Sequence, residues 1–208
     1  MQSGAVTPLQ QRQLGLIYSA AFGLSSVASD VIELARGGDR LVDLEPLPFS
    51  IADIFESVRD IVQPIAEEKG LEVRVDPPAE SSRVGQPVAL SRVLLNLTTN
   101  ALKFTDQGSV AVRAWWSDGR AFFEVEDTGQ GIAAEIRDHL FEPFVTTKDV
   151  GQGTGLGLST VFGIVTQGGG GLDVSSKTGE GTRFDIYLPR VESEIDLSAS
   201  EQAMVPSP

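Results

Sequence analysis

The first residues in this sequence that suggest chemistry form a glycine-rich stretch near residue 155. It reads Gly153, Thr154, Gly155, Leu156 and Gly157, and it runs into the apolar pattern of a helix. Glycine lets the backbone approach a ligand closely, and a helix N-terminus offers unpaired N–H groups with a partial positive charge. The stretch therefore predicts a phosphate-binding loop. A flexible glycine linker is the alternative that this run alone leaves open.

Two amides and an ammonium group share one face of a predicted helix. Asn96, Asn100 and Lys103 stand at positions i, i+4 and i+7 of a helix that starts near Pro87. Residues at this spacing project from the same side. Amide oxygens and a cation can together hold a hydrated magnesium ion and an anionic ligand. A solvated polar face is the competing interpretation.

An aspartate followed by two glycines ends a predicted strand. Asp127-Thr-Gly129-Gln-Gly131 follows the run from Phe122 to Glu126. A carboxylate in this position can accept a hydrogen bond from the exocyclic amine of a base, while the glycines leave room for the ligand. An ordinary Asp-Thr-Gly turn would give the same local pattern.

A further segment reads Phe141-Glu-Pro-Phe144-Val-Thr-Thr-Lys148. The two phenylalanines could hinge a mobile segment on the core, and Lys148 is placed to reach phosphates. Phenylalanines at this spacing are otherwise plain core residues.

Helices and strands mixed without regular alternation must position these groups. Apolar spacing predicts helices from about 11 to 36, 50 to 70, 87 to 103 and 133 to 139, and one that follows the glycine stretch and ends near 167. Alternation predicts strands at 71–75, 109–116, 121–127, 172–176 and 182–188, the second and third forming an antiparallel hairpin. Residues 39–49 are predicted as an extended connector and the residues after Pro77-Pro78 as a loop. The leading architecture is an α+β two-layer sandwich, with a mostly antiparallel sheet covered by helices on one face.

The first helix carries a long apolar seam, with Leu14, Ile17, Ala21, Leu24, Ala28, Val31 and Ala35 alternating in steps of three and four. Such a seam requires a partner helix or packing against the rest of the chain, and we expect it to drive self-association. Residues 191–208 are acidic and rich in serine, alanine and proline, which is typical of a disordered tail or linker.

Composition excludes several classes of protein. The 208 residues carry a net charge of -13, which argues against binding nucleic acid or an anionic membrane. The absence of cysteine excludes disulfides and thiolate zinc sites and suits a reducing cytosol. The sequence contains neither a long apolar run nor a secretory leader, so we expect no membrane contact from this segment.

The four motifs together resemble a known family. In order and spacing, the segments starting at Asn96, Asp127, Phe141 and Gly153 resemble the N, G1, F and G2 boxes of sensor histidine kinases. These kinases belong to the Bergerat ATP-binding family, with gyrase, mismatch-repair ATPases and ninety-kilodalton heat-shock chaperones. The resemblance implies a catalytic ATP-binding domain at 41–190, preceded at 1–40 by the second helix of a dimerisation hairpin.

The resemblance also implies roles for matching residues. Asp127 would bind the adenine amine in a pocket shaped by Gly129 and Gly131, with Thr182 nearby through water. Asn100 would ligate Mg²⁺, supported by Asn96, and Lys103 would contact phosphate. A lid over ATP would lie between the F box, with Phe141 and Phe144, and the G2 box, and its phosphate contacts would come from Lys148, Gly153, Thr154, Gly155, Leu156 and Gly157.

The sequence departs from this family at the phosphoryl acceptor. Histidine kinases deliver the phosphate to a histidine on the first hairpin helix, whereas the single histidine here is His139, which we interpret as a surface residue. The acceptor would then lie on a hairpin outside this sequence. The implied setting is cytoplasmic, with a homodimeric full-length kinase and a response regulator receiver domain as partners. The alternatives are an ATP-binding regulator without catalysis and a serine kinase of the same fold.

Overall fold

The computed structural model describes residues 46–79, 81–145 and 155–189. In chain order, the elements are β1 Leu47–Ser50, α1 Ile51–Lys69, β2 Glu72–Asp76, β3 Ser82–Gly85, α2 Pro87–Phe104, β4 Ser109–Ser117, β5 Arg120–Asp127, α3 Ala134–Arg137, α4 Gly157–Gln167, β6 Gly171–Lys177 and β7 Gly181–Pro189. The predicted first helix with its apolar seam, most of the predicted lid and the predicted tail lie outside the described residues.

The main sheet has five strands in the order β2-β4-β5-β7-β6. Only the β2–β4 pair is parallel; the other three pairs are antiparallel. The register aligns Val112, Val125 and Phe184 across three strands, so that their side chains share one face. That face joins the buried sides of α1, α2 and α4 in a single core, which confirms the predicted α+β two-layer sandwich.

Local signals place the boundaries of α1 where the sequence predicts them. The Ser50 hydroxyl accepts a hydrogen bond from the Asp53 backbone N–H at 3.3 Å, so it caps the first turn. Gly70 ends the helix with a φ of 68°, a conformation that glycine adopts without a Cβ penalty. The apolar face in between buries Phe55, Val58 and Val62 completely. Helix α1 therefore packs on the core along its length, against α2 and the edge strand β2.

A small second sheet corrects the predictions for residues 47–49 of the connector and for the loop after Pro78. Strand β1 pairs antiparallel with β3, and the Ile51 N–H donates to the Ser81 carbonyl at 2.8 Å. Each strand has only four residues, which is too short for a periodic signal, and prolines flank or interrupt both regions. Their pairing joins segments more than thirty residues apart, so it depends on tertiary contacts.

The other face of the main sheet is polar and accessible. Arg113 contacts Glu124 and lies 3.0 Å from Glu126. Trp115 and Phe122 stack there with their ring centroids 5.6 Å apart. Charged and aromatic side chains that pair across strands stabilise a solvated sheet face. Among the described helices, none is long and apolar enough to cross a membrane.

Candidate functional site

A buried carboxylate lies where the central strands meet at one end of the sandwich. Asp127 is the last residue of β5, and its side chain points into the layer between sheet and helices, with only 7% of the residue exposed. Burial raises the pKa of this carboxyl above its usual range, and hydrogen bonds from the Gly129 and Thr182 backbone N–H groups partly oppose the shift. The Asp127 Oδ1–Gly129 N distance is 2.8 Å.

Glycine is required around this carboxylate because the backbone passes close on every side. A Cβ at Gly129 would lie 2.8 Å from Thr105 Oγ1 and 2.9 Å from Asp127 Oδ1. Gly131 has a φ of 70°, and its Cβ would overlap the carbonyl group of Lys177. Both contacts are shorter than a carbon atom tolerates. The two glycines of the Asp-Thr-Gly-Gln-Gly motif are therefore steric requirements of this end of the sheet.

Asp127, Gly129 and Gly131 form one wall of the candidate site, and hydroxyl groups from the neighbouring strands complete this wall. Thr182 of β7 is directly opposite Asp127 in the strand register and is 7% exposed. Its Oγ1 lies 2.9 Å from Ser176 Oγ of β6, which also accepts a hydrogen bond from the Ile132 N–H at 2.8 Å. Ser176 was not predicted from the sequence. Only the pairing of Ser176 with Thr182 brings it here, so no local pattern could have indicated it.

The amides on α2 lie one to two turns from this wall. Asn96 and Asn100 are both half-buried, whereas Lys103 is exposed. Asn96 Nδ2 is buried without a hydrogen-bond partner among the described residues. Leaving a buried N–H unpaired costs about 1–3 kcal/mol, so such a group is typical of a site that awaits an acceptor. The end of α2 meets the wall directly, because the Phe104 carbonyl accepts from the Gln130 N–H at 3.2 Å.

The glycine stretch begins α4 beside these amides. Leu156 precedes the helix without a side-chain cap, so the first N–H groups of this eleven-residue helix are left to other acceptors. Asn100 Nδ2 lies 3.8 Å from the position of a Cβ on Gly157, which places the helix start against α2. A helix N-terminus with no cap favours an anion.

The residues that bracket the undescribed segment 146–154 lie against each other. The Phe144 N–H donates to the Gly155 carbonyl at 3.0 Å, and a Cβ at Gly155 would lie 2.7 Å from the Phe144 Cα. Phe141 stacks on Phe162 of α4 with ring centroids 5.1 Å apart. Phe141 therefore joins the F box to α4, whereas Phe144 is 64% exposed.

A lysine for which no role was predicted from the sequence ties α1 to the end of α2. Lys69 Nζ donates to the Leu102 carbonyl at 2.6 Å and to the Thr105 carbonyl at 2.8 Å. The last carbonyls of a helix lack partners within the helix, and a cation there also meets the negative end of its dipole. Lys69 thus holds the α2 terminus that carries Asn100 and Lys103. A lysine just before a C-terminal glycine was the available signal.

Comparison with known proteins identifies this arrangement. A sequence model of the histidine kinase-, DNA gyrase B- and HSP90-like ATPases matches residues 85–192, more than half of the 208-residue chain. The chain belongs to this ATPase family. The match begins just before α2 and ends just after β7, so it contains Asp127, its glycines and both asparagines.

This chain resembles several sensor kinases along most of its length. It is 31% identical over 209 residues to the aerobic respiration control sensor protein ArcB of Escherichia coli, covering 96% of this chain and 27% of ArcB. It is 32% identical over 198 residues to the autoinducer 2 sensor kinase/phosphatase LuxQ of Vibrio parahaemolyticus, covering 89% of this chain and 23% of LuxQ. The chain thus spans about a quarter of these relatives.

A solved structure agrees with the sequence comparison. Full-length ShkA in complex with AMPPNP superposes with a TM-score of 0.72 at 31% identity, covering 91% of this chain and 41% of ShkA. The predicted family, the ATP-binding catalytic domain of sensor histidine kinases, and its fold are therefore confirmed. AMPPNP is an ATP analogue, and its presence in this relative agrees with the predicted adenine nucleotide ligand.

The structure brings most of the predicted site residues of the ATPase domain together. Asp127, Gly129, Gly131 and Thr182 form the wall at the sheet end, and Asn100 meets Gly157 nearby. Lys148, Gly153 and Thr154 lie outside the described residues. His139 is exposed on the surface, as predicted, with its Nδ1 2.7 Å from Glu142 Oε1. That contact raises the pKa of His139 above its usual value.

Proposed function

We propose that this chain binds MgATP and donates the γ-phosphate to a histidine that its own sequence does not supply, as the catalytic domain of a two-component sensor kinase. The observation that carries the proposal is the joint placement of three features. These are the buried carboxylate of Asp127, the unpaired amide of Asn96 and the uncapped start of α4. They offer an acceptor for a base amine, a donor for an oxygen ligand and an anion site.

The nucleobase end of this site would be formed by Asp127. Its carboxylate oxygens accept hydrogen bonds only, which suits the exocyclic amine of adenine and disfavours the carbonyl that guanine carries at that position. Gly129 and Gly131 let the backbone pack closely around Asp127, which fixes the carboxylate that the base would meet. Thr182 would reach the base through a water molecule, since its hydroxyl already shares a hydrogen bond with Ser176.

The triphosphate end would lie between α2 and α4. Backbone N–H groups from Gly155 to Gly157, with Gly153 and Thr154 of the lid, would donate to the phosphates, and Lys103 and Lys148 would neutralise them. The described residues contain no group of three His, Cys, Asp or Glu that could hold a metal. A magnesium ion here would therefore take an amide oxygen from Asn100 and its other ligands from phosphates and water.

The residues present fit such an ion and its hydration. Asn96 Nδ2 has no partner among the described residues, and a phosphate oxygen or a metal-bound water would satisfy it. When bound, Mg²⁺ supplies charge neutralisation of the transferring phosphoryl group. The protein holds the nucleotide and excludes water. Because this chain does not supply the nucleophile, none of its side chains needs to act as a base toward a nucleophile of its own.

The acceptor and the later partners belong to the whole protein. We propose an acceptor-histidine hairpin helix and a response regulator receiver domain as partners, in a homodimeric full-length kinase acting in the cytoplasm. The seam of residues 14–35 would then be the second hairpin helix. Two rivals remain: a regulator that binds ATP without transferring phosphate, and a kinase that acts on serine.

A phosphotransfer assay separates the proposal from these rivals. The chain is incubated with labelled ATP and magnesium, alone and with a separately supplied acceptor hairpin. We expect no label on the chain alone and acid-labile, base-stable label on the hairpin histidine. Tight ATP binding without transfer to any histidine-bearing hairpin would favour the regulator, and acid-stable label on serine would favour the serine kinase.

Replacing Asn100 with alanine should remove the advantage that magnesium gives to ATP binding. A charge-assisted interaction of this kind contributes about 1.5–3 kcal/mol, which corresponds to roughly a tenfold or larger change in affinity. Titrations of parent and Asn100→Ala by calorimetry, with magnesium and with a chelator, measure the ratio of the two dissociation constants. Thr99→Ala, one residue away on α2, is the matched control. If magnesium changed the dissociation constant by the same factor in the parent and in Asn100→Ala, the role of Asn100 would be refuted.

The affinity for adenine nucleotides should fall on acidification in a way that depends on Asp127. Burial raises the pKa of its carboxyl, so the protonated form appears at a higher pH than for an exposed aspartate. Protonation removes an acceptor, so below that pKa the affinity should drop by about tenfold per pH unit. Asp127→Asn has no titrating carboxyl at this position. The ratio of the parent's affinity to that of the variant therefore cancels the effect of ATP protonation. A ratio that stays constant from pH 8 to 4 would contradict this prediction.

A further inference from the structure

A second concave site lies at the opposite end of the sandwich from Asp127. It is a groove of about 1050 Å³, lined by the small sheet, the β4–β5 turn and the last residues of α4 and β7. Small-molecule pockets hold roughly 300–1,000 Å³, so this groove is at the upper limit for a compact ligand and better suited to a peptide segment. Asp127 ends β5 whereas Arg120 and Ala121 of the groove begin it, so the two sites are a strand length apart.

The groove combines apolar surface with positive charge. Its lining reaches the core residues Phe123 and Ile186, and its rim carries Trp115 and Trp116, which are 40% and 36% exposed. Arg83 stacks on the Trp116 ring at 3.7 Å and also lines the groove, as does Arg120. None of the described lining residues is acidic, although the chain as a whole carries a net charge of -13.

The chain leaves the described structure at this groove. Pro189, the last residue of β7, is part of the lining. After Arg190 the sequence reads Val191-Glu192-Ser193-Glu194-Ile195-Asp196-Leu197, with an acidic residue at every second position. In an extended backbone, Val191, Ser193, Ile195 and Leu197 share one face and the three carboxylates share the other. Seven extended residues span about 23 Å, and the segment starts two residues after Pro189 of the lining.

We propose that residues 191–197 occupy this groove as an extended segment. Ile195 and Leu197 would cover the apolar lining, and the carboxylates of Glu192, Glu194 and Asp196 would face the arginines on the rim. Burying one such aliphatic side chain contributes about 1.5–3 kcal/mol. A short tether also gives a segment a millimolar effective concentration at its own docking site, so weak contacts suffice. The groove is thus an intramolecular site for an acidic, apolar strand, and it would equally receive such a strand in trans.

The chain has two tryptophans, and Trp116 reports the occupancy of the groove because Arg83 of the lining stacks on its ring. Acrylamide quenching of their fluorescence is compared between the full chain and the variant Ile195→Asp with Leu197→Asp. The matched control is Ser198→Asp with Ser200→Asp, which adds the same charge just beyond the alternating segment. We expect stronger quenching in the first variant alone. Unchanged binding of AMPPNP shows that each variant is folded, independently of any phosphotransfer.

A synthetic peptide of residues 190–198 then tests the site in trans. We expect it to restore protection in the Ile195→Asp, Leu197→Asp variant and to bind that variant about tenfold more tightly than the parent, whose own segment competes at its effective concentration. Equal quenching of variant and parent, or equal peptide affinities, would overturn the proposal. Two further outcomes would overturn the proposal. If Leu24→Asp alone exposed the tryptophans, the groove would be occupied by residues 1–45. If protection were lost on dilution, it would be occupied by a second copy of the chain.

Discussion

Replacing Asp127 with asparagine is expected to lower the affinity for ATP by about tenfold to a hundredfold. The carboxylate is 7% exposed and accepts backbone N–H groups from Gly129 and Thr182, so its position is set before any ligand arrives. A hydrogen bond to a charged group contributes about 1.5–3 kcal/mol, and each 1.4 kcal/mol is a factor of ten. Asparagine has nearly the same shape but presents an N–H₂ group on one side, which cannot accept from the adenine amine.

Calorimetry with AMPPNP measures this loss, and Asp173→Asn on the exposed edge strand β6 is the matched control. Asp127→Asn should also reduce the preference for ATP over GTP, because the guanine carbonyl would no longer face two acceptor oxygens. Unchanged affinity in Asp127→Asn, with a folded protein by circular dichroism, would contradict the placement of the base at this carboxylate.

Replacing Gly181 with alanine is expected to destabilise the domain by about 2–5 kcal/mol and to abolish tight nucleotide binding. Gly181 has a φ of 102°, and a Cβ there would overlap the Asp127 carbonyl oxygen and lie 2.9 Å from the carbonyl carbon. The cost combines the unfavourable backbone conformation, about 1–2 kcal/mol, with overpacking, about 1–3 kcal/mol. Because the clash is with the backbone of Asp127, relieving it must move the carboxylate.

The neighbouring Gly179 separates the two causes. Its φ is 80°, but a Cβ there would meet nothing within 4 Å, so Gly179→Ala should cost only the conformational term of about 1–2 kcal/mol. Urea denaturation of both variants gives the free energies of unfolding, and AMPPNP titration gives the binding. Equal destabilisation of the two variants would show that the contact with Asp127 is not what makes Gly181 necessary.

Most regular elements were predictable because their signals are local. Helix α1 carries its own cap at Ser50, its own stop at Gly70 and an apolar face between them. The predicted β4–β5 hairpin has its turn at Asp118 and Gly119, both with positive φ, which aspartate and glycine tolerate. Strands β1 and β3 were missed because four residues next to prolines carry no periodic pattern, and their pairing arises only when the chain has folded.

The sequence by itself determined the candidate side chains of the site. Asp127, Asn96, Asn100 and the glycines around them stand out because a nucleotide site needs these residue types at fixed spacings along single elements. Tertiary structure decided which further groups complete the site. The Asp127–Thr182 register, the Ser176 hydroxyl and the Lys69 contacts with the end of α2 join residues from different elements, and no local pattern encodes them. The same holds for the groove at the other end, because its arginines and tryptophans come together only when the sheets and helices pack.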